Sequence, residues 1–196
     1  MAKVVVKQKV KKVKRKFPVE FIAPEIFNSK SLGQASVSDL NKTVGKTIKI
    51  NMMYVADSVK FQNIRLTFRV SEVDSGKAKT EISKYEQVPY FLSRFIKKDS
   101  DLVEVNEYVT TKDNKEVLTK LFIVTKHNES QLVLREIRAK VKELVAKEAA
   151  DVNYNDFISN IVYSKVQQKI RNDLKKITPI KVFEFKKTEL VIVNEE

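Results

Sequence analysis

The chain contains no cysteine. A disulfide framework, a thiolate metal site and a cysteine nucleophile are therefore excluded, and the absence fits a reducing compartment. Tryptophan is also missing, and the one histidine is His127. With a single imidazole and no thiolate, a zinc site would have to rest on carboxylates. Glycine occurs 3 times and proline 4 times in 196 residues, so collagen-like and low-complexity classes fall away. No run approaches the roughly 20 apolar residues of a membrane span. The amino terminus lacks the apolar segment of a secretory signal, and it is lysine-rich and serine-free, unlike a transit peptide. The expectation is a soluble cytoplasmic protein in which the Asn41-Lys42-Thr43 and Asn128-Glu129-Ser130 sequons go unused.

Negative charge is absent from the first 19 residues, Glu20 being the first acid. Lys3, Lys7, Lys9, Lys11, Lys12, Lys14, Arg15 and Lys16 give the first sixteen residues eight positive charges of the chain's net +13, which leaves +5 for residues 17–196. Such an arm repels itself and calls for a polyanion, RNA or DNA first among them. Val6, Val10, Val13 and Phe17 fall at helical spacing, the pattern of a basic helix lying on an anionic membrane. Valine, however, makes a narrow stripe and is a mediocre helix former. The arm is better read as disordered alone and ordering on nucleic acid.

Hydrophobic residues make up 42% of the chain, enough for a real core. The reading divides the chain into a basic RNA-binding tail over 1–16 and a single α+β body over 17–196. Pro18 and Pro24 forbid a regular helix in 17–27, which reads as extended chain tucked against the body. The Ser-, Asn- and Thr-rich stretch 28–44 reads as a loop. A β-rich stretch covers 45–126. Residues 47–55 alternate, with Ile48, Ile50, Met52 and Tyr54 on one face. Residues 64–73 alternate more cleanly, with Ile64, Leu66, Phe68 and Val70 facing in and Arg65, Thr67 and Arg69 facing out. Asp74-Ser75-Gly76 is a turn, followed by a short strand over 78–82. Val88, Phe91, Leu92, Phe95 and Ile96 switch to helical spacing. Strands over 103–111 and 116–126 flank a hairpin connection at 111–115. Residues 130–177 read as two helices, with Leu134, Ile137, Val141, Leu144 and Val145 as the first buried stripe. The second, capped by Asn153 or Asn155, carries Ile158, Val162, Val166, Ile170, Leu174 and Ile177. Thr178-Pro179 stops it, and terminal strands occupy 180–185 and 189–193. This order predicts an α+β fold with a mainly antiparallel sheet.

Few residues carry catalytic promise. Gly45-Lys46-Thr47 resembles the tail of a phosphate-binding P-loop, but Leu40 stands where the first glycine is needed and a strand rather than a helix follows. It reads as a turn into a strand. His127 lies in a polar turn, and Asp99 and Asp101 lie in a solvated loop. As a close pair the two carboxylates could serve glycoside hydrolysis or bind a hard cation, but a plain helix-to-strand loop is much commoner. The basic residues make the stronger set. Arg65 and Arg69 share a strand face. Arg94, Lys97 and Lys98 follow the short helix. Lys126 ends a strand. Arg135 and Arg138 share a helix face with Lys142, and Arg171, Lys175 and Lys176 cluster near the end of the last helix. Arginine forks bind phosphate bidentately and lysine acts as a point charge. Any one of them alone is as readily an ordinary solvated cation. As a set, together with the tail, they favour nucleic-acid binding. No helix-turn-helix, zinc-finger or RNP aromatic signature is present, so backbone and shape recognition is expected.

Several segments bear a family resemblance. Phe21-Ile22-Ala23-Pro24-Glu25-Ile26-Phe27 after a basic arm resembles the opening of the archaeal and eukaryotic small-subunit ribosomal protein family called S one e, formerly S three a e. Val44-Gly45-Lys46-Thr47-Ile48, Ile64-Arg65-Leu66, Val73-Asp74-Ser75-Gly76-Lys77-Ala78, Val109-Thr110-Thr111-Lys112-Asp113 and the 177–189 segment resemble the family's later motifs in the same order. Three departures stand out: Phe17 and Phe21 where an aromatic Trp or Tyr pair is usual, His127-Asn128-Glu129-Ser130-Gln131 in place of an Arg-rich stretch, and Thr178 for the usual Tyr. The resemblance implies a barrel-like β body with flanking helices and no catalytic activity or cofactor. It also implies a place on the small-subunit platform, beside the mRNA exit and the 3′ region of the ribosomal RNA, among neighbouring platform proteins. Two other readings stay open. One is a non-ribosomal RNA- or DNA-binding assembly or compaction protein. The other is a nucleic-acid enzyme, which would need a carboxylate cluster for metal ions that the sequence does not present at any recognisable spacing.

Overall fold

The computed structural model describes residues 16–74 and 76–191. The fold is α+β, with eight strands and five α-helices among the described residues, and the sheet is mostly antiparallel. The tail residues Lys3, Lys7, Lys9, Lys11, Lys12, Lys14 and Arg15 lie outside the described residues, and Lys16 is exposed.

The sheet is organised around one long hairpin. Strand β4 (Ile64–Asp74) alternates as its sequence demands, with Ile64, Leu66, Phe68 and Val70 buried. It turns through Gly76, whose φ of +87° is the left-handed conformation that glycine adopts without a Cβ clash. Strand β5 (Lys77–Gln87) returns antiparallel over its whole length. It runs well past the short 78–82 segment expected from sequence. Its far edge is shared. Near its start, Lys77–Lys79 pair in parallel with Glu20–Ile22 of β1 (Phe17–Ile22). Near its end, Lys84–Glu86 pair with Lys187–Glu189 of β8 (Ile180–Leu190). Beyond β8 come β7 (Glu116–Thr125) and β6 (Leu102–Thr110), and beyond β1 comes β2 (Ser31–Val37). Strand β3 (Thr47–Asn51) borders β4. Among the described residues no ladder joins β6 to β3, so the barrel-like curl implied by the resemblance takes the form of an open, forked sheet.

Helix α3 (Gln131–Ala150) starts at Ser130, whose hydroxyl accepts from the Val133 amide, and buries Leu134, Ile137, Val141, Val145 and Ala149. Helices α4 (Tyr154–Val162) and α5 (Lys165–Leu174) complete the main core with Phe183 and Phe185 of β8. On the opposite face of β7 and β8, the short α2 (Pro89–Ser93) seats Leu92 against Phe122, Val124 and Val182.

Five expectations need correction. Residues 31–37 form an edge strand rather than part of a loop; with most side chains exposed, β2 has no apolar alternation to read. Strand β3 stops at Asn51, whose side-chain oxygen accepts from the Met53 amide at 2.9 Å and caps α1 (Met52–Ala56). Met52 and Val55 are therefore buried at helical spacing, and Tyr54 is 66% exposed. The 88–96 helix shrinks to five residues, leaving Ile96 exposed. The long helix ahead of Thr178 is two: Ser164 sits at φ +57° between α4 and α5, and the buried Gln167 amide donates to the Ile161 carbonyl at 2.7 Å. Its apolar stripe is nonetheless buried from Ile158 to Leu174. Finally, the two terminal strand pieces are one strand, β8, whose register shifts twice against β7.

Candidate nucleic-acid interface

The eleven ion pairs among the described residues all use lysine. Arg65, Arg69, Arg94, Arg135 and Arg138 have no carboxylate within ion-pairing distance among the described residues, whereas the charge of Arg171 acts on Glu184. A guanidinium carries five donors in a planar fork. A guanidinium without a carboxylate partner can offer them to an external acceptor such as phosphate.

The sheet surface shows how this arises. Strand pairing places Arg65 opposite Glu86, and Arg69 opposite Glu81. Glu86 is taken by lysines instead. Lys49 Nζ lies 2.7 Å away and Lys84 Nζ 3.5 Å away. The hydrogen bond from Lys49 is the main cause holding the Glu86 carboxyl below its ordinary range. Arg65 is left exposed. Arg69 is half-buried, its guanidinium lying over Gly45. Gly45 itself is a turn residue with φ +82°, and its amide donates to the Val70 carbonyl as the chain enters β3. Lys49, Arg65, Thr67, Arg69 and Lys84 thus share the outer face of three adjacent strands.

A second group gathers at one end of the molecule. Lys181 Nζ donates to the Phe95 carbonyl at 3.1 Å, which ties the start of β8 to the segment bearing Arg94, Lys97 and Lys98. The Lys126 amide donates to the Pro179 carbonyl, and Arg171 Nη2 donates to the Ile180 carbonyl at 3.4 Å. Lys126, Arg171 and Lys181 therefore come together at the start of β8, and Lys175 follows Leu174 at the end of α5. Lys175 also donates to Asn172, and Lys176 pairs with Asp173 at 3.1 Å, so these two are partly engaged within α5. Arg135 is exposed and Arg138 half-buried in the first turns of α3. Lys142, expected beside them, is held by Glu107 of β6.

Of the acidic and imidazole candidates, the Asp101 side chain serves loop structure. The Asp101 carboxylate accepts from the Glu129 amide at 2.7 Å. The His127 carbonyl accepts from the Thr125 hydroxyl at 2.7 Å. Asp99 is exposed. Among the described residues no helix is long and apolar enough to cross a membrane.

A family model described as the Ribosomal S3Ae family matches residues 5–193. The chain belongs to the Ribosomal S3Ae family. The match spans both cationic groups and most of the basic arm. Relatives include the small ribosomal subunit protein eS1 of Archaeoglobus fulgidus, 28% identical over 191 residues and covering 94% of this chain and 90% of the relative. The eS1 protein of Haloarcula marismortui is 29% identical, covering 89% and 82% respectively. That of Saccharolobus islandicus is 26% identical, covering 89% and 84%. The family is one of ribosomal proteins, not enzymes, and this chain has the length of its archaeal relatives. Sequence alone located the arginines but could not separate them from lysines with internal partners. Pairing depends on strand register, and register is not written in composition. The stacking of Arg94 on Phe91 and Phe95, at 4.1 and 4.9 Å from the ring centroids, was likewise missed. The spacing Phe91-x-x-Arg94-Phe95 was the available signal.

Proposed function

We propose that this protein is a structural constituent of the small ribosomal subunit that binds ribosomal RNA on the platform near the mRNA exit, close to the RNA's 3′ region. The observation that carries the reading is the set of arginines without internal carboxylates, in a chain whose family is ribosomal. The basic arm, Lys3 to Lys16, acts as a polycation that enters RNA grooves. The strand-face pair Arg65 and Arg69 grips backbone phosphate. Arg94, Lys97, Lys98, Lys126, Arg135, Arg138, Arg171, Lys175 and Lys176 form a further phosphate-facing set. Phosphate contacts of this kind position a protein on RNA and release condensed counterions.

The test is co-sedimentation of the tagged full chain with ribosomal particles in high magnesium. The expected result is a signal confined to small subunits, with crosslinks from the arm to the 3′ region of their RNA. A chain found free of ribosomal particles, or on DNA, would replace this reading with that of a non-ribosomal assembly or compaction protein.

A further inference from the structure

The segment after α2 combines features that phosphate binding alone does not need. The Arg94 guanidinium lies 4.1 Å from the Phe91 ring centroid and 4.9 Å from that of Phe95. The two rings meet edge-on, 5.3 Å apart at 80°. Both rings are half-buried and anchored: they pack with Val182 on the cluster of Leu92, Phe122 and Val124. Lys181 Nζ donates to the Phe95 carbonyl at 3.1 Å. The guanidinium thus lies against two rings that are themselves packed on the core, with no carboxylate in ion-pairing distance among the described residues. One helical turn before Arg94, at the i,i+4 spacing that shares a helix face, Tyr90 is 85% exposed. Residues 90–98 hold Arg94, Lys97 and Lys98 and no acid. Of the two acids that follow, Asp101 has its carboxylate engaged by the Glu129 amide.

We infer that Tyr90 and the stacked Arg94 form a platform for an unpaired base of RNA. Guanidinium planes and aromatic faces are the surfaces on which splayed-out bases stack. Bases inside an A-form helix have both faces covered, so a duplex cannot use such a platform. The local excess of cations excludes a basic protein segment as the occupant and suits the phosphates flanking the base. The contact is indifferent to base identity, because every base has a π-face. The inference rests on the RNA-binding reading above and extends it from backbone contact to base contact.

The test compares the full chain binding two probes of equal length at one salt concentration: single-stranded oligouridylate and the same backbone with abasic sites. The ratio of the two affinities cancels the contribution of the basic arm. The wild-type chain should favour the base-containing probe about tenfold. Arg94→Lys keeps the charge but loses the plane, so it should reduce that ratio severalfold while leaving the salt slope intact. Tyr90→Ser, at an exposed position, should reduce it as well. Equal binding of the two probes by the wild-type chain overturns the platform, even if both bind steeply with salt. Equal loss on both probes in Arg94→Lys also overturns it, because that pattern is a lost phosphate contact. Failure of both probes to bind removes the RNA-binding reading itself. In assembled subunits, a photocrosslinker at Tyr90 should capture an unpaired nucleotide, and sequencing separates ribosomal from messenger RNA. Capture of paired nucleotides or of protein alone contradicts the inference.

Discussion

The Gln87 side-chain amide donates to the Glu184 carboxylate at 2.9 Å, across the gap where β5 leaves β8. Glu184 is largely withdrawn from water there. Burial pushes its pKa up, and hydrogen bonds from Gln87 and Gln167 and the charge of Arg171 only partly offset this. The side-chain oxygens of Gln87 and Gln167 are buried without a hydrogen-bond donor among the described residues. A protonated carboxyl has a proton to offer such an oxygen; a carboxylate has none.

A pH dependence follows. The folded state holds the Glu184 proton more tightly than the unfolded chain does, so stability falls as pH rises from the ordinary glutamate value of 4.5 through the raised one. Glu184→Gln should remove that loss. In urea unfolding at pH 7 the variant should match or exceed the parent by about 1 kcal/mol, and the difference should vanish at acid pH. A variant less stable than the parent at pH 7 would show that the ionised carboxylate is an asset to the fold.

The join between α4 and α5 should be sensitive to one side chain. Gln167 is buried, and its amide satisfies the Ile161 carbonyl at 2.7 Å. Gln167→Leu keeps the volume but removes the amide's bonds to Glu184 and to the Ile161 carbonyl, which keeps the Ser164 amide at 3.0 Å, so the net cost is about 0.5–1.5 kcal/mol for a typical hydrogen bond. Thermal unfolding measures it. An unchanged melting temperature would mean that the helix break is held by packing alone.

Arg65→Ala and Arg69→Ala should separate binding from folding. Neither arginine has an acidic partner among the described residues, so each change should move folding stability by less than about 0.5 kcal/mol. Each should weaken binding across RNA sequences and lower the log–log salt slope by about 1 unit. A loss of several kcal/mol in folding with unchanged binding would make these residues structural.

Much of this was legible in the sequence because burial leaves a period. The β4 alternation, the 111–115 hairpin and the α3 stripe all appear where their apolar residues put them. What escaped has no such period. Strand β2 is an exposed polar edge, and the β3-to-α1 switch depends on one capping side chain, Asn51. The α4–α5 break lies inside an uninterrupted apolar stripe, so Ser164 carries no warning. The same division holds at the candidate interface. Charge density announced a polyanionic partner. On the sheet face, that lysines take Glu86 and leave Arg65 bare emerged only from strand register.

The most direct measurement of the central claim is the salt dependence of binding to small-subunit ribosomal RNA, for the full chain and for a chain lacking residues 1–16. If the arm neutralises about six phosphates, its removal should flatten the log–log slope by roughly 4 to 5 units, with weaker but still salt-dependent binding left to the body. An identical slope in the shortened chain would contradict the claim that this protein holds RNA through its basic arm.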